Sequence, residues 1–214
     1  MNQQLTGVVA GTTPYAWPFD QGLAADRVAL VVCGAGDARV GPIAADAEVE
    51  ANIGRLRRAA VSVDVPVFLI DHDLSLEPNR RHRTDRRLDH SPATGHSARQ
   101  LTPAGAERVV HAAGVDGFFG SALDVMLRAA GIDELIVFGR GFETTVHSTI
   151  RTANDAGYEC LTVADACLTV DADCRSAAIS TIEMSGGIFG AVGSARNVVL
   201  ALELLSPVSL SIPK

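Results

Sequence analysis

Apolar positions recur along the chain with two different periods, and each change of period marks an element. Leu135, Ile136, Val137 and Phe138 form an unbroken apolar run, the pattern of a parallel strand covered on both faces. Gly139 and Gly141 break that run. A helix then begins near Glu143 or Thr144, because Val146, Thr149, Ile150 and Ala153 return at spacings of three and four and give it one buried stripe. Gly157 stops the helix, and Tyr158 opens the next strand, over residues 158–163.

The alternation continues on either side. Residues 28–33 (VALVVC) predict a first buried strand that ends at Gly34, Ala35 and Gly36. Residues 44–60 place Val49, Ile53 and Leu56 on one face and Arg55, Arg57 and Arg58 outside it, predicting the first crossover helix. Residues 65–70 (VPVFLI) predict the second strand, which runs into Asp71, His72 and Asp73. Between residues 74 and 100 neither period survives, and a loop of that length inside a compact domain is usually functional or mobile. Val109 and Val110 predict a short third strand; helices are predicted over 121–130, 174–184 and 194–205, with a glycine-rich turn and a last short strand at 185–193.

Strands alternating with helices imply an α/β fold: a three-layer, Rossmann-like domain on about six parallel strands. We expect this domain over residues 27–205, an N-terminal arm over 1–26 and a tail over 206–214. The arm carries Tyr15, Trp17, Pro18 and Phe19, so it should pack on its own domain or on a neighbouring subunit. In an open parallel sheet, ligands bind beyond the carboxyl ends of the strands, which makes the turn after Phe138 the first place to look for chemistry.

Composition narrows the class. With 214 residues, 47% hydrophobic and 20% charged, the chain suits one globular domain with a sizeable core. A formal net charge of -7 and a pI near 5.3 argue against nucleic acid or an anionic membrane as partner. No apolar stretch approaches the roughly 18 residues of a membrane span, and the N-terminus lacks the basic and apolar regions of a signal peptide, so a cytoplasmic location is expected. Cys33, Cys160, Cys167 and Cys174 show no paired spacing and read as small buried hydrophobes.

Several stretches together carry a family resemblance: the arm PYAWPFD, the strand ALVVC, the segment FFGSALDVMLRAAGIDELIVFG, the helix VHSTIRTANDAGYECL and the late MSGGIFGAV. Over nearly its whole length the chain resembles the isochorismatase-like cysteine hydrolase superfamily, and most of all its biuret-amidohydrolase-like branch. The resemblance implies a six-stranded parallel sheet, dimeric or tetrameric assembly, a cis peptide near Gly141 and Phe142, and an Asp, Lys and Cys triad that cleaves small amides and related C–N bonds. In that triad the Cys attacks, the Asp takes its proton and the Lys lowers the thiol pKa.

Carried onto this chain, the three positions fall on other residues. The Asp that ends the first strand falls on Gly34. The Lys, six residues before the Phe at 118, falls on Ala112, and the Cys before the Val at 146 falls on Thr145. A one-residue shift would bring His111 to the Lys position or Asp37 near the Asp, at the expense of the register of the flanking glycines and Phe118.

Thr145 is expected at a helix N-terminus, which favours a developing anion, yet a Thr hydroxyl needs a base to attack. Titratable residues nearby are Glu143, His111, Asp37, Asp71 and His147. His147 lies about 200° round the helix from Thr145 and faces elsewhere, and Glu143 serves equally well as a capping carboxylate. Contacts to a small polar ligand are expected from Gly141, Phe142, Thr144, Thr145 and Phe118, with Arg81 and Arg83 from the polar loop. No metal site is expected, because Asp71, His72, Asp73, His90 and His96 match no strong ligand spacing. No cofactor is expected either: Gly186, Gly187 and Gly190 lack the strand and helix context of a dinucleotide site.

Two functions follow from this reading. The first is a non-catalytic homologue, a pseudoenzyme that binds a small polar ligand or stabilises a homo-oligomer or an active paralogue. The second is a hydrolase of a small amide or carbamoyl compound with a rebuilt, cysteine-free site at Glu143, His111, Asp37 or an arginine of the polar loop.

Overall fold

The computed structural model describes residues 7–19, 22–35, 46–72, 103–105 and 107–205. Six parallel strands form one sheet: β1 Val28–Cys33, β2 Val67–His72, β3 Glu107–Ala112, β4 Glu134–Arg140, β5 Glu159–Leu168 and β6 Ala191–Gly193. They lie in the order β3-β2-β1-β4-β5-β6. The order reverses between β1 and β4, so the crevice beyond the carboxyl ends of those two strands is where an open sheet accepts a ligand. Among the described residues five α-helices accompany the sheet: α1 Ala47–Ser62, α2 Leu123–Ala129, α3 His147–Asp155, α4 Arg175–Glu183 and α5 Ala195–Glu203.

Local chemistry explains the boundaries. Every residue of β1 is buried, as its unbroken apolar run requires of a central strand. The first helix begins at Ala47, three residues later than the apolar pattern alone predicts. Asp46 caps it by accepting the N–H groups of Glu48 and Val49 at 2.9 and 3.2 Å. β2 begins at Val67 because Pro66 has no N–H to give the ladder and supplies only its carbonyl, to Leu30 at 2.9 Å. β3 is longer than the pair Val109 and Val110. Its charged first residue, Glu107, is held by Arg57 of α1 at 2.6 Å, which compensates for burying the carboxylate.

β5 also outruns its apolar pattern. Its register against β4 slips between Val137 and Gly139, so that Thr162 pairs with Val137 and Cys167 with Gly139. Asp165 sits within the slipped segment and uses its side chain to accept the N–H of Ala195, fixing the start of α5.

The two faces of the sheet can be assigned from contacts. Glu107 reaches Arg57, so the odd-numbered residues of β3 face α1. Ile70 and Thr149 of α3 both close on Gly117, so Ile70 and its neighbours of the same parity, Val110, His72 and Ala112, face α3. The arm crosses the α5 side of the fold: Val9, Trp17 and Leu23 are buried, and Thr13 exchanges two backbone hydrogen bonds with Val192 at the β6 edge.

Candidate functional site

The turn after β4 is shaped by two glycines. Gly139 lets β4 press against β1, since a Cβ there would stand 2.2 Å from the carbonyl oxygen of Cys33. Gly141 takes the left-handed conformation at φ 78° and turns the chain into the following helix. The first turn of that helix, Phe142–Val146, is π-helical and winds more widely than the α-helix the apolar spacing predicts. The peptide between Gly141 and Phe142 is trans, contrary to the resemblance: the cis bonds among the described residues precede Pro14 and Pro18, and at Gly141 the left-handed backbone alone makes the bend.

Thr145 sits inside this turn with no exposed surface, and its hydroxyl is committed to the backbone. It donates to the carbonyl oxygen of Arg140, and the carbonyl of Gly141 lies 3.2 Å away. Gly34 lies across the crevice at the end of β1, left-handed at φ 64°. A side chain there would place its Cβ 2.8 Å from the Cβ of Arg140, whose guanidinium is ion-paired with Glu50 on α1. Ala112 ends β3, buried, directly opposite His72 of β2. None of the three positions carries an ionisable group.

The surrounding candidates divide by face and by distance. Glu143 accepts the N–H groups of Val170 and Asp171, both at 2.8 Å through Oε1, tying the turn to the loop after β5. Its Oε2 is buried without a hydrogen-bond partner among the described residues. His111 is exposed, and its Nδ1 lies 3.0 Å from Asp71. That pair lies on the α1 face of the sheet, away from Ala112 and α3. His111 and the β4 turn are three strand spacings apart, about 14 Å, so His111 and Glu143 do not converge. His147 gives Nε2 to the carbonyl of Ala178 at 3.0 Å, and its ring lies against Phe142.

Among the predicted ligand contacts, Gly141, Phe142 and Thr145 are buried, whereas Thr144 is exposed and Phe118 half-buried. Asp37, Asp73, Arg81, Arg83, His90 and His96 lie outside the described residues. Among the described residues no group of three or more His, Cys, Asp and Glu side chains is placed to hold a metal ion.

Two further residues lie near these positions; the sequence weighed His72 only as a metal ligand and read Cys33 as a small buried hydrophobe, which it is. His72 is buried, with Nδ1 2.8 Å from the carbonyl of Gly114. A carbonyl only accepts, so Nδ1 carries the proton and Nε2 is a bare acceptor, buried and without a hydrogen-bond partner among the described residues. Burial holds its pKa below the ordinary value. Cys33, next to Gly34, is the nearest thiol in sequence to the marked positions, and burial pushes its pKa up to about 12. Its S–H points to Thr149 at 3.6 Å, so it is a packed thiol. Short apolar flanks conceal both residues: nothing in IDHD or VVCG tells which neighbour faces α3.

The fold defines the class first: an open, doubly wound α/β domain whose strand order reverses between β1 and β4, beside the glycine turn that follows β4. The isochorismatase domain model matches residues 28–195, and the chain belongs to the isochorismatase family. Solved structures agree on the fold. A cysteine hydrolase from Pseudomonas syringae pv. phaseolicola is 23% identical, with a TM-score of 0.69 over 86% of this chain and 95% of that one. An isochorismatase family protein from Burkholderia thailandensis is 26% identical, with a TM-score of 0.64 over 83% and 96%. The N-carbamoylsarcosine amidase of Thermoplasma acidophilum is 20% identical, with a TM-score of 0.58 over 79% and 96%. No helix among the described residues is long and apolar enough to cross a membrane.

Proposed function

We propose that this chain is a non-catalytic member of the isochorismatase family, one that keeps the scaffold of small-amide hydrolases without their Asp, Lys and Cys chemistry. The observation that carries the reading is the hydroxyl of Thr145, which is buried and donates to a backbone carbonyl at the position the sequence resemblance assigns to the attacking thiol. A hydroxyl attacks only as its proton passes to a base, and a carbonyl oxygen is no base at neutral pH.

The rest of the crevice supports the same reading. Gly34 faces Arg140 where an acid would be needed, and Ala112 offers a methyl group where an amine would be needed. Cys33 and Cys167 are fully buried, and burial raises both thiols, so neither supplies a thiolate in place of the missing one.

The role we assign is to bind a small polar molecule of the amide or carbamoyl class, or to stabilise an assembly, as a cytoplasmic homo-dimer or tetramer or beside an active paralogue. The test is ammonia release from a panel of small amides, carbamoyl compounds and ureides, by the wild type and by Thr145→Ala. Both proteins are expected to match the buffer blank. Release by the wild type that Thr145→Ala abolishes would overturn the reading. Release that survives Thr145→Ala would favour the rebuilt hydrolase, with Glu143 as the first residue to replace.

A further inference from the structure

The amino end of the sheet, opposite the crevice, holds an arrangement that the function above does not use. Glu134 and Glu159 are direct partners in the β4–β5 register, so two carboxyl side chains stand side by side on one face. Glu134 has 1% of its surface exposed; one of its oxygens lies 3.5 Å from Arg27, and the other is buried without a hydrogen-bond partner among the described residues. Glu159 is the anchor of the arm. It accepts the N–H of Phe19 at 2.8 Å, and, after burial, its charge also raises the pKa of the nearby Tyr15 hydroxyl. The ring of Tyr15 in turn packs edge-on against Phe19.

We propose that the arm is a pH-operated clasp: with Glu134 protonated it stays closed on Glu159, and when Glu134 ionises the Phe19 and Tyr15 contacts release and residues 7–19 lift from the fold. The physical reason is the shared space. An ionised Glu134 must be solvated, and it repels the Glu159 carboxylate on the next strand. The sheet cannot move to relieve either stress, because β1 and β4 are its buried centre. The arm can, since besides Phe19 its hydrogen bonds to the rest of the fold, among the described residues, are few: the backbone pair of Thr13 with Val192, the Thr13 hydroxyl to Glu183, and the Asn197 amide to the Ala10 carbonyl.

The charges acting on Glu134 oppose one another. Burial raises its pKa most, Arg27 lowers it, and Asp133, Glu159 and Asp26 raise it, which brings the carboxyl up to about 7. Opening would also expose the β6 edge at Val192, which Thr13 otherwise pairs.

The chain contains a single tryptophan, Trp17, fully buried in the arm, so its fluorescence reports the clasp directly. Acrylamide quenching of Trp17 in the full chain, and the protection factor of the Phe19 amide, are measured between about pH 5.5 and 9. The wild type is expected to show quenching that rises at least about twofold, and Phe19 protection that falls, with one midpoint within about one unit of pH 7. Glu134→Gln and Glu134→Leu should stay in the low-quenching state throughout, while folding is checked by circular dichroism. Flat wild-type quenching and protection would overturn the proposal, and so would an unchanged midpoint in either variant that folds.

Discussion

Replacing Gly34 by aspartate should destabilise the protein rather than restore an acid to the crevice. Gly34 has φ 64°, where a side chain costs roughly 1–2 kcal/mol. Its Cβ would meet the Cβ of Arg140 at 2.8 Å and the Arg140 carbonyl at 3.1 Å. Carbon atoms in contact settle about 3.5–4.0 Å apart, so the end of β1 or β4 must shift by several tenths of an ångström. Overpacking of that kind costs about 1–3 kcal/mol. Together the two effects come to about 2–5 kcal/mol, and at about 2–4 °C per kcal/mol for a chain of this size Tm should fall by about 4–20 °C.

The assay is calorimetric unfolding of the wild type, Gly34→Ala, Gly34→Asp, and each combined with Arg140→Gly. Alanine should account for most of the loss, because the damage comes from the Cβ and the backbone rather than from the charge. Arg140→Gly also breaks the ion pair with Glu50, so the coupling must be read from the full double-mutant cycle. A Gly34→Ala protein that melts within about 1 °C of the wild type would refute the reasoning, since neither the left-handed backbone nor the Arg140 contact would then constrain the position.

Two further outcomes follow from the carboxylates Glu143 and Glu134. Glu143→Ala removes the acceptor for two backbone N–H groups, so the amides of Val170 and Asp171 should lose exchange protection, with a stability loss of about 1–3 kcal/mol in urea unfolding. Unchanged protection at both amides would show that the loop after β5 is held by other contacts. For Glu134 the sign is the reverse of the usual carboxylate. Its folded pKa lies above its ordinary 4.5, at about 7, so the penalty for ionising it is absent below about pH 4.5, grows between the two values and is complete above 7. Glu134→Gln should therefore match the wild type at the acid end and exceed it by up to about 3 kcal/mol above pH 7. A constant difference across that range would mean that Glu134 titrates alike in the folded and unfolded chain.

The elements were legible where an apolar run or stripe is long and cleanly bounded. VALVVC gives β1 at its observed limits, and Val146, Thr149, Ile150 and Ala153 are the buried stripe of α3 and its first turn. Boundaries set by side-chain partners were not legible. Asp46 as a cap, Arg57 covering Glu107 and Asp165 at the start of α5 each depend on a residue whose partner is known only once the chain has folded. The slip in β5 escaped for the same reason, because Ala164 and Asp165 end the apolar pattern while the strand continues beside β4.

The site divides in the same way. The residue types at Gly34, Ala112 and Thr145, and the glycines at 139 and 141, are properties of the chain by itself, and with the hydrophobic pattern they determine a doubly wound sheet with its crevice after β4. Tertiary structure alone decided that Thr145 spends its hydroxyl on a backbone carbonyl, that His111 pairs with Asp71 on the far face, that His72 rather than His111 stands opposite Ala112, and that Arg140 presses on Gly34. Period-two alternation says that neighbouring residues face opposite ways. Which way each faces, and what it meets there, depends on strand order and register, and these are set by contacts between residues distant in sequence.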